Sequence, residues 1–249
     1  MRRIIFAIAA IIFLSIAGNA GAQPWQNADP ASAGWSVERL KAALDYAATL
    51  KPTAVMVVQD GKVIASWGDV SREVNVASVR KSLLSALYGI AVAEGHIDLG
   101  STLADLGIDD KPPALTAAEK QATVRDLLMA RSGLYHPAAY ETGDMRRNRP
   151  ERGSHAPGTF CWYNNWDFNA LGTIYQQQTG EDIFQSFAQR IAAPIGMEDF
   201  SARDGRYIAE RQSEHPAYPF SLSARDAARF GQLFLDGGRW NGRQIIPAS

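Results

Sequence analysis

The sequence predicts an α+β fold in which an antiparallel sheet is flanked by helices and accompanied by a helical lobe. Two β-branched runs, 53–58 and 62–67, are separated by a turn that contains Asp60-Gly61, which is the pattern of a β-hairpin. Several helical patterns follow this hairpin along the chain. The chain has 249 residues, of which 46% are hydrophobic and 20% charged, as is typical of a soluble globular protein.

The first 22 residues have the pattern of a signal peptide. A basic start at Arg2 and Arg3 precedes an apolar run over 4–17, and Ala20-Gly21-Ala22 offers the small residues that a signal peptidase reads. The alternative is a membrane anchor, but a span needs about 20 apolar residues and this run is shorter. We therefore expect cleavage after Ala22, export to the periplasm or the medium without a stable membrane anchor, and one domain over 23–249.

The first elements after this segment are predicted from caps and turns. Ser36 is a typical N-cap and opens a helix that extends to about Leu50. The Asp60-Gly61 turn suits a tight hairpin because both positions need a positive φ. The helix from Ser78 to about Glu94 is apolar on nearly all sides, so we expect it to be buried.

Further helices are predicted at 123–131, 167–179 and 182–191, and after Ser223. Asp226 occupies the capping-box position of the last helix, and Gly237-Gly238 ends it. The segment 140–157 is polar and rich in Arg and has no periodicity, which predicts a loop. The predicted strands are few, and an isolated hairpin is only marginally stable in water. We therefore expect the sequence to stop, at Ser249, before the strands that complete the sheet.

Ser78 and Lys81 form the pattern that carries chemistry. A spacing of three residues places both on one face of the buried helix, and Ser78 lies at its start, where free backbone N–H groups can stabilise an oxyanion. Burial disfavours a charged amine, so the pKa of Lys81 should fall and the amine can activate a serine nucleophile. The alternative is a capping serine beside a lysine that extends to solvent, and this pattern alone leaves both open.

Tyr163 is the candidate partner of this pair. Of the eight tyrosines it alone has an Asn two residues later. A phenol beside a lysine amine can be held ionised and accept the serine proton, and the Asn165 amide can bind a substrate amide. The alternative is a Tyr-Asn turn that follows Pro157-Gly158. The sequence thus predicts Ser78, Lys81 and Tyr163 as catalytic residues and Asn165 as a substrate-binding residue.

Several other functions are disfavoured. The formal net charge of -1 gives no reason to expect nucleic acid as a partner. No H-E-x-x-H, G-x-S-x-G or phosphate-binding glycine loop occurs, and the four His are scattered, so we expect neither a metal nor a cofactor. Cys161, the only cysteine, is expected to be a small buried apolar residue and not a nucleophile. Asp109-Asp110 is expected to be a solvated loop pair.

Four segments of the chain carry a resemblance to one family. They are 78–92 (SVRKSLLSALYGIAV), 123–134 (TVRDLLMARSGL), 157–172 (PGTFCWYNNWDFNALG) and 223–247 (SARDAARFGQLFLDGGRWNGRQIIP). In this order they resemble the penicillin-recognising serine hydrolases, especially the class C β-lactamase-like branch with its esterases, D-aminopeptidases and 6-aminohexanoate-dimer hydrolases. The resemblance implies a β-lactamase/transpeptidase-like fold. It also implies an acyl-enzyme on Ser78, proton transfer by Lys81 and Tyr163, and Asn165 near the substrate.

The chain departs from this family at one motif. The family carries a Lys or His followed by a small residue and Gly, on a strand that would lie beyond Ser249, and no such triplet occurs here. The expected function is an exported serine hydrolase for an amide, a lactam or an ester. The alternative is a ligand-binding or sensor module of the same fold that deacylates slowly or not at all. A group of loop arginines could bind a substrate carboxylate, although a solvated surface loop is favoured: Arg146, Arg147, Arg149 and Arg152.

Overall fold

The computed structural model describes residues 24–248, so the predicted signal peptide and its cleavage site lie outside the described residues. The helices are α1 (Val37–Thr49), α2 (Arg80–Ala93), α3 (Val124–Leu128), α4 (Gly143–Arg147), α5 (Asn165–Thr179), α6 (Ile183–Phe187) and α7 (Ala224–Leu235). The strands are β1 (Ala54–Gln59), β2 (Lys62–Gly68), β3 (Val74–Asn75), β4 (Ser221–Leu222), β5 (Arg239–Trp240) and β6 (Arg243–Gln244). A π-helical turn, Ala188–Ala192, continues α6.

The predicted hairpin is confirmed. β1 and β2 pair antiparallel from Ala54 opposite Gly68 to Gln59 opposite Lys62. The turn residues Asp60 and Gly61 have φ values of 51° and 70°, as a tight hairpin turn requires. α1 packs against β2 and α7 packs against β1, so helices flank this sheet.

The two edges of the hairpin differ. On the β2 side, the Val63 N–H donates to the Gln26 carbonyl at 2.8 Å, and the Ala28 N–H donates to the Val63 carbonyl at 2.9 Å. Within residues 24–248, β1 pairs with β2 alone. The outer edge of β1 is therefore open in the described part of the chain.

The helical lobe is built around α2 and α5. Leu83 and Leu87 on α2 and Leu171 on α5 are fully buried, and each such side chain contributes about 1.5–3 kcal/mol of burial free energy. The Tyr88 hydroxyl also donates to the Leu171 carbonyl at 2.7 Å. This confirms the prediction of a buried helix, although α2 begins at Arg80 after a 3₁₀ turn. Both helices begin at the same side of the lobe, where the candidate catalytic residues lie.

Several predicted boundaries differ from the structure. Thr123 forms the predicted cap, with Asp126 completing a capping box, but α3 ends at Leu128 because Ala130 adopts a left-handed φ of 52°. The predicted loop 140–157 contains the short helix α4. The ladders β3–β4 and β5–β6 have two residues per strand, which is too short for an alternating pattern to reveal.

The predicted capping box at the start of α7 is wrong. Ser223 does cap the helix by accepting from the Asp226 N–H at 3.2 Å. The Asp226 carboxylate, however, is fully buried and faces the backbone of residues 198–200, which precede α7. It accepts three backbone N–H groups, from Glu198 at 2.7 Å, Asp199 at 2.9 Å and Phe200 at 2.8 Å. Asp226 therefore joins α7 to the segment that follows α6.

Asp226→Asn should lower the free energy of unfolding by about 2 kcal/mol or more, because the amide NH₂ would face backbone donors and leave at least one without an acceptor. Asp236→Asn, at the exposed end of the same helix, is the matched control and should change stability by less than about 0.5 kcal/mol. Urea unfolding of both variants measures the difference. Equal losses would contradict the role assigned to Asp226.

The prediction for Asp110 is also wrong. Asp110 is buried and accepts from Trp166 Nε1 at 2.5 Å, Ser213 Oγ at 2.9 Å and the Glu214 N–H at 2.6 Å. The carboxylate satisfies donors that would otherwise be buried without partners. An adjacent pair of carboxylates in a polar segment gives no sign of this role.

Cys161 is exposed, whereas the sequence predicts that it is buried. The segment that contains it runs beside the end of α3, and the Trp162 N–H donates to the Ala130 carbonyl at 2.9 Å. In this extended segment, the Cys161 side chain faces outward, with Sγ 3.8 Å from the Met129 carbonyl oxygen. Its thiol is accordingly open to solvent.

Candidate active site

Ser78 lies in the 3₁₀ turn that leads into α2, and its side chain is exposed. The residue before it, Ala77, has a left-handed φ of 46°, and its N–H donates to Asn75 Oδ1 at 2.7 Å. The Val76 N–H donates to the Phe220 carbonyl at 3.0 Å, next to the β3–β4 pairing. These bonds hold an otherwise unfavourable turn that presents the hydroxyl to the cleft.

Lys81 lies at the centre of the site. Only 6% of the residue is exposed. Its Nζ donates to Ser78 Oγ at 3.3 Å, to the Tyr163 hydroxyl oxygen at 2.8 Å and to Asn165 Oδ1 at 2.9 Å. The structure therefore brings together all four residues that the sequence predicts for the site, with one amine in contact with the other three.

The surroundings of Lys81 favour its neutral form. Burial, and secondly the positive charge of Arg80, lower the pKa of Lys81 from 10.5 to about 7. Aromatic faces line the amine, with the Tyr163 ring centroid 4.3 Å and the Phe168 ring centroid 5.1 Å away. Since the protonated fraction falls as pH rises through this value, a large part of Lys81 can accept a proton near neutral pH.

Tyr163 reaches the site from the segment just before α5. Its side chain is partly open to solvent, with 47% of the residue exposed, and its ring packs against Phe168 with centroids 5.8 Å apart. The hydroxyl oxygen already accepts a hydrogen bond from Lys81. Tyr163 is thus accessible to solvent while it stays hydrogen-bonded to the amine.

Asn165, the first residue of α5, is buried and uses both ends of its amide within the protein. Its Oδ1 accepts from Lys81, and its Nδ2 donates to the Tyr140 carbonyl at 2.5 Å. These bonds fix the direction of the amide and hold the Lys81 amine in place. The predicted contact between Asn165 and a substrate stays a prediction.

Tyr140 is a residue of the site that the sequence does not reveal. Its φ is 63°, its N–H donates to Glu210 Oε1 at 3.2 Å, and its hydroxyl accepts from Asn75 Nδ2 at 3.0 Å. Its hydroxyl thus contacts Asn75, in the turn that carries Ser78, and its carbonyl contacts Asn165, at the start of α5. Tyr140 therefore connects the two segments. A single tyrosine in a polar segment carries no local signal of such a role.

A cleft of about 320 Å³ opens beside Ser78, between the 3₁₀ turn, Tyr140 and the residues 141–145. Glu141 in its wall is neutralised by Arg149, whose Nη2 donates to both carboxylate oxygens at 2.7 and 2.6 Å. Arg152 pairs with Glu119 through two nitrogens, Nε to Oε1 at 2.8 Å and Nη2 to Oε2 at 2.7 Å, and Arg147 lies 3.4 Å from Asp144. These three loop arginines therefore have protein partners, which favours a structural role over capture of a substrate carboxylate.

The described residues offer neither a metal-binding cluster nor a helix that could cross a membrane. Over 24–248, no group of three or more His, Cys, Asp or Glu side chains is arranged to hold a metal ion. His136 is buried against Glu119 at 3.1 Å, and His215 contacts the Asp109 carbonyl at 2.9 Å, so these two serve the core. None of the helices in this stretch has the length and apolar character that crossing a bilayer requires.

Comparison with known proteins gives consistent matches. A family model described as β-lactamase matches residues 44–247. A D-aminopeptidase of Brucella anthropi is 28% identical over 172 residues, which are 58% of this chain and 31% of that protein.

Two solved structures have similar folds. One is a Bacillus anthracis protein provisionally described as a 6-aminohexanoate-dimer hydrolase, with a TM-score of 0.60, 24% identity, and coverage of 79% of this chain and 57% of that one. The other is an octameric penicillin-binding protein homologue from Pyrococcus abyssi, with a TM-score of 0.60, 16% identity, and coverage of 86% and 58%. The chain thus spans less than three fifths of each relative. These likenesses confirm the predicted fold.

Proposed function

Because this chain belongs to the β-lactamase family, we propose that it is an exported serine hydrolase that cleaves an amide, a lactam or an ester through an acyl-enzyme on Ser78. One observation carries the proposal: the buried Lys81 amine contacts both Ser78 Oγ and the Tyr163 hydroxyl. A serine hydroxyl needs such a base within hydrogen-bond reach to become a nucleophile. The signal-peptide pattern of residues 1–22 supports export.

In the proposed acylation, Ser78 Oγ attacks the substrate carbonyl carbon and forms a C–O bond. The hydroxyl proton passes to the Lys81–Tyr163 pair, and the pair returns it to the leaving nitrogen or oxygen as the scissile bond breaks. Water then attacks the acyl-enzyme, loses a proton to the same pair and releases a carboxylic acid and free Ser78. Each proton taken by the pair is given back, so the chain is unchanged after one turnover.

The names of two relatives support an amide as the bond that this chain cleaves. One of them is named for a peptidase activity and one for the hydrolysis of an amide dimer. In the cleft beside Ser78, Arg149 neutralises the Glu141 carboxylate, and the buried Arg80 guanidinium also lines the cleft. Glu141 therefore adds no unpaired negative charge that would repel the polarised carbonyl oxygen of an amide or an ester.

The experiment is to trap the acyl-enzyme in the full-length protein with a serine-reactive phosphonate and to locate the adduct by peptide mass spectrometry. We expect one adduct, on Ser78. Cys161 is the internal control because it is the only thiol in the chain and is exposed. An adduct on Cys161 with none on Ser78 would refute the proposal. A stable acyl group from an activated ester, released over hours, would instead support the sensor alternative.

A further inference from the structure

Arg80 is a buried cation next to Lys81. The residue is 1% exposed and precedes Lys81 at the start of α2. Its Nη2 donates to Asn169 Oδ1 at 2.9 Å, and its Cζ lies 4.3 Å from the centroid of the Tyr218 ring. An amide oxygen and an aromatic face hold the guanidinium in one place, and neither of them carries a formal charge.

This setting is unusual for an arginine. Arg149, Arg152 and Arg225 each lie within 3 Å of a carboxylate oxygen, as arginines away from bulk water generally do. Arg80 takes part in none of the ion pairs formed within residues 24–248, and its Nη1 has no hydrogen-bond acceptor there. The positive charge is therefore not neutralised by a neighbour. An unpaired buried charge lowers the free energy of unfolding. Such a cost suggests that Arg80 has a functional role.

The groups that face Lys81 add no compensating charge. Ser78 approaches from the turn before α2, Tyr163 from the segment before α5, and Asn165 from α5 itself. Tyr218, which lies under Arg80, donates its hydroxyl proton to the Phe168 carbonyl at 3.0 Å.

The nearest acidic residue along α5 does not face the amine. Asp167 follows Asn165 by two positions, and since successive helical residues are about 100° apart, it lies on nearly the opposite face. There it accepts from Ser132 Oγ at 2.6 Å, and burial raises its pKa to about 7. The Arg80 guanidinium contacts Asn169 and the Lys81 amine contacts Asn165, so the two cations lie one turn apart along α5, and neither forms an ion pair within residues 24–248.

From this arrangement we propose that Arg80 is a positioning residue whose uncompensated charge keeps Lys81 in the unprotonated form that can accept the Ser78 proton. The inference rests on the proposed function, since it concerns the same proton transfer. Protonation of Lys81 would place a second positive charge beside the first in a region of low dielectric, where like charges repel strongly. Burial and the Arg80 charge, in that order, are the causes of the lowered pKa of Lys81.

The rate of acylation of Ser78 should depend on pH through the protonation of Lys81. Acylation needs neutral Lys81, so its rate should rise with pH and level off above the pKa of about 7. Without the Arg80 charge, Lys81 holds its proton to higher pH. The midpoint of the rising limb should therefore move upward, while the plateau at alkaline pH stays nearly the same.

The experiment measures the rate of phosphonate labelling of Ser78 between about pH 5.5 and pH 9.5 in the full-length protein, for the wild type, Arg80→Met and Arg80→Lys. In Arg80→Met we expect the midpoint to rise by about one pH unit, which is the scale of a close like charge. Labelling at pH 7 should then fall several-fold and recover at high pH. Arg80→Lys keeps a cation and should keep a midpoint nearer to that of the wild type.

Two further variants keep the test decisive. Arg152→Met removes an arginine that pairs with Glu119 far along the chain from Lys81, and it should lower stability without moving the midpoint. Arg80→Met removes the charge and keeps much of the side-chain volume. If Arg80→Met does not fold, Arg80→Gln tests the same loss of charge.

The outcomes separate the two proposals. A uniform fall in rate with an unchanged midpoint in Arg80→Met would show that Arg80 acts only on packing, and the inference would be overturned. Absence of labelling at Ser78 in the wild type would refute the proposed function itself. A raised midpoint that Arg80→Lys restores supports both.

Discussion

Ser78→Ala should abolish the turnover of a nitrophenyl acyl ester by the full-length protein, with a loss of at least about 10⁴-fold in kcat. The substitution removes the oxygen that forms the covalent bond in the proposed mechanism, and no other hydroxyl contacts Lys81 except that of Tyr163 within residues 24–248. Because Ser78 is exposed, the free energy of unfolding should change by less than about 0.5 kcal/mol. Steady-state kinetics and urea unfolding measure the two effects.

The matched control is Ser85→Ala. Ser85 is exposed on the same helix, four residues after Lys81, so it shares the face of the helix but not the contact. Its loss should leave turnover nearly unchanged. If Ser78→Ala kept its activity while Cys161→Ser lost it, the nucleophile would be the thiol, and the proposed mechanism would fall.

The second large effect is expected at the proton-transfer pair. Lys81→Met keeps most of the buried volume and removes the amine, and Tyr163→Phe keeps the ring contact with Phe168 and removes the hydroxyl. General-base assistance contributes about 10²–10⁴-fold, so each variant should slow acylation by about that factor. Rapid-mixing measurements of the first turnover separate acylation from deacylation.

The two substitutions should not be additive. Lys81 and Tyr163 are joined by a hydrogen bond of 2.8 Å. In the proposed mechanism they act on the same proton, so the second substitution should reduce the rate little once the first has been made. We expect the double variant to be no more than about tenfold slower than the slower single variant. A loss equal to the product of the two single losses would show that the groups act in separate steps.

The sequence predicts the centre of the site well because its signals are local. The three-residue spacing of Ser78 and Lys81 fixes their common face as soon as the segment is helical. The apolar surroundings of that helix indicate the burial that lowers the pKa of Lys81. Tyr163 is distinguished by its neighbour Asn165, and the structure brings both to the amine. The resemblance of four ordered segments supplies the fold, which these local signals alone do not.

The rest depends on contacts between distant segments. In the sequence, Arg80 has the pattern of an ordinary helical arginine. Only the packing of Asn169 and Tyr218 around its guanidinium removes it from water. Asp226 has the sequence position of a helix cap, yet a closer set of backbone donors captures its carboxylate. Cys161 has aromatic neighbours that indicate burial, but its extended segment turns the thiol outward. In each case tertiary packing determines the burial and the partners of the side chain, and the local sequence pattern is compatible with more than one environment.

The pairing of β3 with β4 has a consequence for the order of folding. The turn that presents Ser78 is tied to Phe220 and Ser221, which follow it by about 140 residues. Synthesis proceeds from the N-terminus at about 5–20 residues per second. The turn with Ser78 is therefore made several seconds before the segment to which it is hydrogen-bonded. Closing so long a loop is entropically costly and slows folding. We therefore expect the turn that carries Ser78 to reach its final geometry only after the segment that contains Phe220 and Ser221 has been translated.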